Sequence, residues 1–289
     1  MDSGLQIFIK VVELNSFTKA ANVLHMTQPA VSQAVRNLEK EFNTTLLERE
    51  HKTFYLNQAG EIVYTYAKEI TATYHHMQTL IKELEEDPKG DLIIGASYTI
   101  GEYILPEILS SVYQLYPKIH PQVSINNTQT ILNQLLNHDI DIGLVEGNVA
   151  DERLYTESFM IDQMYVVGSG QKEYNVKSIT DLAEENWIIR EVGSGTRALT
   201  EKVFEQYHLE PQQCFTFGST QIIKEVVESG LGVSLLSKSA LVKELQLETI
   251  QMLPVAELPI ERPFFIMKRK QSFETKRVQV FEQLLHQLA

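Results

Sequence analysis

The chain has 289 residues, 43% of them hydrophobic and 22% charged, which excludes a disordered or fibrous chain and accommodates about two domains. One cysteine, Cys214, excludes an internal disulfide, and with an acidic Met1-Asp2-Ser3-Gly4 start and no apolar run near ~18 residues the expected place is the cytoplasm. The net charge of −13 weighs against a polyanionic partner, yet residues 1–60 carry six Lys/Arg against six Asp/Glu, so the acidity lies further along.

Leu5, Phe8, Ile9 and Val12 recur at i, i+3, i+4 and i+7, the stripe of a first helix. Asn15-Ser16 interrupts it, and Ser16 can cap a short second helix that buries Phe17, Ala20, Ala21 and Leu24. His25-Met26 makes a tight turn. Thr27 then caps a third helix, with Pro29 in the first turn, where a missing N–H costs little. On that helix Val31, Val35, Leu38 and Phe42 share one face, while Pro29, Ser32, Gln33, Arg36 and Lys40 occupy a separate arc. Amide, hydroxyl and guanidinium groups read base edges and phosphates in a major groove, so Gln28, Pro29, Ser32, Gln33 and Arg36 are candidate DNA contacts. The segments 46–50 and 53–56 flank His51-Lys52 as a two-stranded hairpin, a wing that would set Arg49 and Lys52 on the backbone or minor groove. A small helical domain with an inert polar face fits each piece alone. The whole series within sixty residues is what favours a winged helix-turn-helix.

Phe17-Thr18-Lys19-Ala20-Ala21-Asn22-Val23-Leu24, Thr27-Gln28-Pro29-Ala30-Val31-Ser32, Leu38-Glu39, Leu46-Leu47-Glu48-Arg49 and Leu56-Asn57-Gln58-Ala59-Gly60 resemble the N-terminal signature of the LysR-type bacterial transcriptional regulators. Gln33, Leu47 and Asn57 depart from it, since members often carry Arg, Phe and Thr there, and the cation lost at Gln33 bears on base choice. The resemblance implies a winged helix-turn-helix over 1–60, a dimerising linker helix over 61–90, usually antiparallel, and a two-lobed α/β periplasmic-binding-protein-like effector domain over 91–289. It also implies promoter DNA, a homodimer or homotetramer, RNA polymerase and a small-molecule effector as partners.

From Gln58 to Glu86 there is no proline, and Val63, Ile70, Met77 and Leu84 stand seven apart with Tyr66, Thr73 and Leu80 between them. This is a heptad seam on a helix of roughly 43 Å. It packs either on its own domain or on the same helix of a second copy, as a two-fold DNA reader requires. Asp87-Pro88-Lys89-Gly90 ends it.

Beyond it, strand-like Leu92–Ala96, Val123–Asn126 and Ile140–Val145 alternate with helical runs, and a second set follows from Met164 to Leu236, which together predict a mostly parallel sheet. Lobe I is read as about 91–160 plus 266–289 and lobe II as about 161–265, with ligand sites where strands end and helices begin. Ser97 and Thr99, Thr128, and Ser194 and Thr196 of the Gly193–Arg197 loop would line one cleft holding a small anion. An ordinary Gly-rich turn, with Arg197 on a surface carboxylate, is the other reading of that loop. The Gly-Ser-Gly-Thr-Arg run resembles members tied to sulfur or carbon assimilation.

No metal or organic cofactor is expected. His-Glu-x-x-His, Gly-x-Ser-x-Gly and Cys-x-x-Cys are all missing from the sequence, and His75-His76 points two ways from one helix. Cys214, beside Phe215, reads as a buried strand residue. The expectation is therefore a non-enzymatic regulator. A solute-binding transport component or a cytosolic enzyme with a fused helical domain are the alternatives that share a two-lobed fold.

Overall fold

The computed structural model describes residues 3–50, 53–84, 87–147, 151–270 and 273–287, and the chain divides into two compact units, Met1–Glu86 and Asp87–Ala289. In the first, helices α1 (Ser3–Leu14), α2 (Phe17–Val23) and α3 (Gln28–Glu41) precede a hairpin of β1 (Leu47–Glu50) and β2 (Thr53–Leu56) and the long helix α4 (Gln58–Glu83). Local chemistry sets these boundaries. Ser16 Oγ accepts from the Lys19 N–H, Thr27 Oγ1 from Ala30 and Asn57 Oδ1 from Gly60, each satisfying a first-turn donor.

The core of this unit is Ile7, Phe8, Val11, Ala20, Ala21, Val31, Val35, Leu38, Leu46 and Leu47. The stripe on α1 is turned from the expected one, with Ile7 and Val11 fully inside and Leu5 and Val12 only partly buried. Phe42, expected on the core face of α3, is its C-cap residue and is 46% exposed, because the chain leaves the helix there before reaching the core. Glu39 Oε1 accepts from the N–H groups of Leu46 and Leu47, tying the end of α3 to the start of the hairpin.

At its N-terminal end α4 packs Ala59, Val63 and Tyr64 against this core. Val63 therefore serves the helical domain rather than an open seam. On another face of α4, Ile62, Tyr66, Ile70, Met77, Ile81 and Leu84 are exposed, a stripe about 33 Å long that no described residue of the unit covers.

The second unit opens with β3 (Gly90–Ala96), a π-turn at Ile100–Ile104, α5 (Leu105–Leu115), β4 (Ile119–Ile125), α6 (Thr128–Leu136) and β5 (Ile142–Glu146). Then come β6 (Leu154–Ser169), β7 (Asn186–Arg190), α7 (Gly195–Gln206), β8 (Gln213–Phe217), α8 (Thr220–Glu228), β9 (Ser234–Ser237), α9 (Val242–Gln246), β10 (Ile250–Met252), β11 (Ile260–Arg269) and α10 (Lys276–Gln287). One sheet runs β10-β6-β11-β5-β3-β4, with β9 also on β6, and β7-β8 form a parallel pair linked to it by the Trp187–Val233 bridge.

This sheet is mixed rather than mostly parallel. β3 is parallel to β4 and β5, but β6 and β11 are antiparallel to each other and to their other neighbours. The reason is that β6 and β11 are long connectors running out and back, so each lies partly in both lobes. One lobe packs Leu92, Ile94, Ile108, Val112, Phe264 and Phe281, and the other packs Met164, Val166, Trp187, Val203, Val233 and Leu253. Trp187 is fully buried, donates its indole N–H to the Leu182 carbonyl at 3.0 Å and meets Phe204 edge-on; truncating it would cost about 3–5 kcal/mol.

Candidate functional site

The first site is the outer face of α3. Burial of Val31, Val35 and Leu38 turns Gln28, Pro29, Gln33, Arg36 and Lys40 outward, all of them exposed. Asn37, passed over in the sequence, joins them, and Gln33 Nε2 donates to its Oδ1 at 2.9 Å. Ser32 is a correction: it is 6% exposed, and its hydroxyl accepts from Gln28 Nε2 at 2.9 Å, because it sits on the shoulder of the core face and not in the open arc. Ser32 thus orients Gln28 and is not itself presented. Arg36 has no ion-pair partner among the described residues. In the hairpin, Arg49 pairs with Phe54 through the backbone, while the Arg49 side chain and the whole of Lys52 lie outside the described residues.

The second site lies between the lobes of the second unit. Its floor is Arg262 on β11, 4% exposed, whose Nε donates to Asp162 Oδ2 at 2.8 Å. Nη1 donates to Thr196 Oγ1 at 2.9 Å and Nη2 to Thr99 Oγ1 at 3.2 Å, so one guanidinium joins the start of α7 to the loop after β3. Ser237 donates to Asp162 Oδ1 at 2.7 Å, completing that carboxylate's partners. Once Thr99 and Thr196 accept from Arg262, each hydroxyl still has its own proton to give.

Beside this floor is a cavity of about 260 Å³ lined by Thr128, Glu146, Gly193, Ser194, Gly195 and Arg197, among others. Of the five expected ligand residues, Thr128 and Ser194 reach its wall. Ser97, Thr99 and Thr196 are buried away from it, Thr99 and Thr196 on Arg262 and Ser97 Oγ with no hydrogen-bond partner among the described residues. Ser194 caps α7 by accepting from the Arg197 N–H, and Thr128 donates to the Glu146 carbonyl at 3.3 Å.

The glycines of the Gly193–Arg197 loop are there for close approach. Gly193 has φ +89, and a Cβ on it would stand 3.1 Å from Gln129 Cβ; a Cβ on Gly195 would fall 2.4 Å from the Glu146 carbonyl oxygen. The lobes meet at this loop, where the Gln129 N–H donates to the Gly193 carbonyl. Arg197 lines the cavity, but its guanidinium is already engaged. Its Nε donates to Glu201 at 2.6 Å and its Nη1 to the Arg190 carbonyl, the surface pairing that was the plainer reading of that loop.

Arg190, 2% exposed, is held by Glu191 and Thr220 and lies over the Tyr98 ring at 4.5 Å, a second link between the lobes. Sequence reading passed over Arg262, Asp162, Glu146 and Arg190. The available signal was a charged residue inside an apolar strand pattern, as in Ile260–Met267 and Ile188–Arg190.

Among the described residues, one His/acid group could draw its ligand atoms together: Glu157, Glu282 and His286, all within 4.8 Å. Glu282 is committed to Lys268 and Glu157 to the Tyr155 hydroxyl. Cys214, expected inside, lies on β8 but is exposed, because β8 is the outer strand of its pair; partial desolvation raises its thiol pKa, with Arg197 opposing. No helix among the described residues is long and apolar enough to cross a membrane.

Comparison with known proteins places both units. Residues 3–61 match the bacterial regulatory helix-turn-helix protein, lysR family, and residues 85–289 match the LysR substrate binding domain. The chain is 39% identical over 287 residues to the HTH-type transcriptional regulator CysL of Bacillus subtilis, covering 97% of this chain and 95% of that one. Its second unit is similar to the regulatory domain of Synechocystis CcmR in complex with 2-PG, with TM-score 0.64, 26% identity and coverage of 69% of this chain and 97% of that one. A full-length OxyR from Pseudomonas aeruginosa shares the fold, with TM-score 0.76 at 22% identity over 99% of this chain and 93% of that one. The chain therefore belongs to the LysR family, a helix-turn-helix transcriptional regulator that carries an effector-binding domain.

Proposed function

We propose that the chain reads promoter DNA as a homo-oligomer and changes its grip when a small molecule enters the inter-lobe cavity. The observation that carries this is the division of α3 into a buried face and an open face bearing Gln28, Gln33, Arg36 and Lys40. Those amides and cations enter the major groove, with Arg36 on a base edge and Lys40 on phosphate. Arg49 and Lys52 of the hairpin reach the backbone or minor groove.

The exposed stripe of α4 pairs with the same stripe of a second copy, as dimer or tetramer, which fixes two reading heads at one spacing. The effector carries an anionic group that sits at the start of α7, where the helix's first-turn N–H groups lie at the cavity wall with Ser194 and Thr128, while Thr99 and Thr196 hold Arg262 behind it. It acts by binding two arrangements of the oligomer unequally. RNA polymerase is the partner through which the output is read, in the cytoplasm, and the chain performs no catalysis.

Sequencing of DNA fragments retained by the purified chain, with and without metabolites, tests this reading. The expected result is one enriched two-fold motif whose occupancy shifts with a metabolite. Retention without any sequence enrichment would overturn it.

A further inference from the structure

We propose that the inter-lobe cavity selects a small zwitterion, with its anionic group at the start of α7 and an ammonium group on Glu146. The proposal rests on the effector cavity described above and names the class of ligand it takes.

Glu146 ends β5 and is 2% exposed, yet its Oε1 finds no hydrogen-bond partner among the described residues. The nearest cation is Arg262, whose Nη2 stands 3.8 Å from that oxygen, beyond hydrogen-bond reach. Arg262 is already matched by Asp162 at 2.8 Å, so two buried carboxylates share one guanidinium. The cation in the cavity lining, Arg197, is engaged by Glu201 and by the Arg190 carbonyl. Burying a carboxylate oxygen with nothing to bond is costly, and native proteins supply such groups with a partner. A ligand N–H⁺ group supplies one here. Ser97 Oγ, 1% exposed, is a second buried group without a partner; its own N–H donates to Leu144, two residues before Glu146 on β5.

A simple anion is therefore poorly matched to this cavity, whose lining side chains include one cation, Arg197, and two carboxylates, Glu146 and Glu201. The positive pole is the start of α7, a twelve-residue helix in which Ser194 caps the Arg197 N–H and the Gly195 and Thr196 N–H groups have no intrahelical acceptor. The two poles are close, since a Cβ on Gly195 would strike the Glu146 carbonyl. An α-amino acid carries both charges within a few bonds. A cavity of about 260 Å³ lies just below the range that takes drug-sized ligands, which suits a metabolite of that size.

The test uses the full-length chain, with thermal shift and calorimetry against three matched series: the common α-amino acids, the 2-hydroxy acids of the same skeletons, and the amines lacking the carboxylate. The expected result is an amino acid that binds at least about tenfold more tightly than both of its matched analogues. Glu146→Gln should bring that amino acid down to the affinity of its hydroxy acid and leave the hydroxy acid unchanged. Hydroxy acids or other plain anions that bind as tightly as every amino acid, and are weakened by Ser194→Ala but indifferent to Glu146→Gln, would overturn the zwitterion and leave the cavity reading standing. Silence from all three series would overturn both.

Discussion

Arg262 and Asp162 are register partners on the two strands that run between the lobes, and their side chains meet at 2.8 Å with almost no solvent around them. The same guanidinium holds Thr99 from one lobe and Thr196 from the other. Arg262→Met leaves Asp162 as an uncompensated buried charge and should lower stability by about 3–5 kcal/mol. Replacing both, as Arg262→Met with Asp162→Leu, should recover the part of that loss that belongs to Asp162, the remainder belonging to Glu146, which also loses its nearest cation. Urea unfolding of the two variants checks it, and equal losses would show that the charge pair is not the source.

On α3, Arg36→Ala should weaken operator binding by about 1–3 kcal/mol and relax the preference at one base position. Lys40→Ala should weaken all sequences alike and make the salt dependence shallower by about one unit of slope. Quantitative binding to a randomised operator set at several salt concentrations separates the two outcomes.

Ile70 and Ile81 are 51% and 60% exposed on α4. A charge at either position buries badly in a helix pair, so Ile70→Glu with Ile81→Glu should convert the oligomer to monomer without lowering the stability of the second unit. Sedimentation and thermal unfolding measure the two effects. Operator affinity should fall with the oligomer, because each half-site would then be bound alone.

Lys224, on α8, donates to Glu244 at 2.7 Å and to the Ala240 carbonyl, and lies 4.9 Å from the Tyr103 ring of the opposite lobe. Burial opposes its charge, but hydrogen bonds to Glu244 and Tyr103 outweigh that and raise its pKa above 10.5. A raised folded pKa means the stabilisation is complete below pH 10.5 and fades as pH climbs through the folded value. Lys224→Met should therefore cost about 3 kcal/mol at neutral pH, and its deficit against the unaltered chain should narrow above pH 10.5. Urea midpoints from pH 7 to 11 provide the comparison.

Short-range chemistry was the legible part of this chain. Ser16, Thr27 and Ser194 are caps, as the pattern of hydroxyl residue before helix implies, and Val31, Val35 and Leu38 face the core. Helical spacing alone does not settle residues at the edge of a face, so Ser32 and Phe42 exchanged places across it. β4 begins earlier than its apolar residues suggest. It contains Pro121, which is tolerated because β4 is the outermost strand of its sheet.

The cleft was legible only in its loops. Thr99 and Arg262 are 163 positions apart, and Arg262 is buried through a register that no local pattern encodes. Glu146 closes a strand otherwise read as apolar, and its isolation emerges only when Arg262 is seen to belong to Asp162.

The two passages between the lobes are β6 and β11, bonded to each other along their length, with a one-residue slip between Phe264 and Phe265. A pair of slack coils would let the lobes swing apart like a jaw. A laced ribbon resists that and yields most easily by winding, and the slip is where winding meets least opposition. Relative motion of the lobes along such a ribbon is then a change of pitch, a rotation with little spreading.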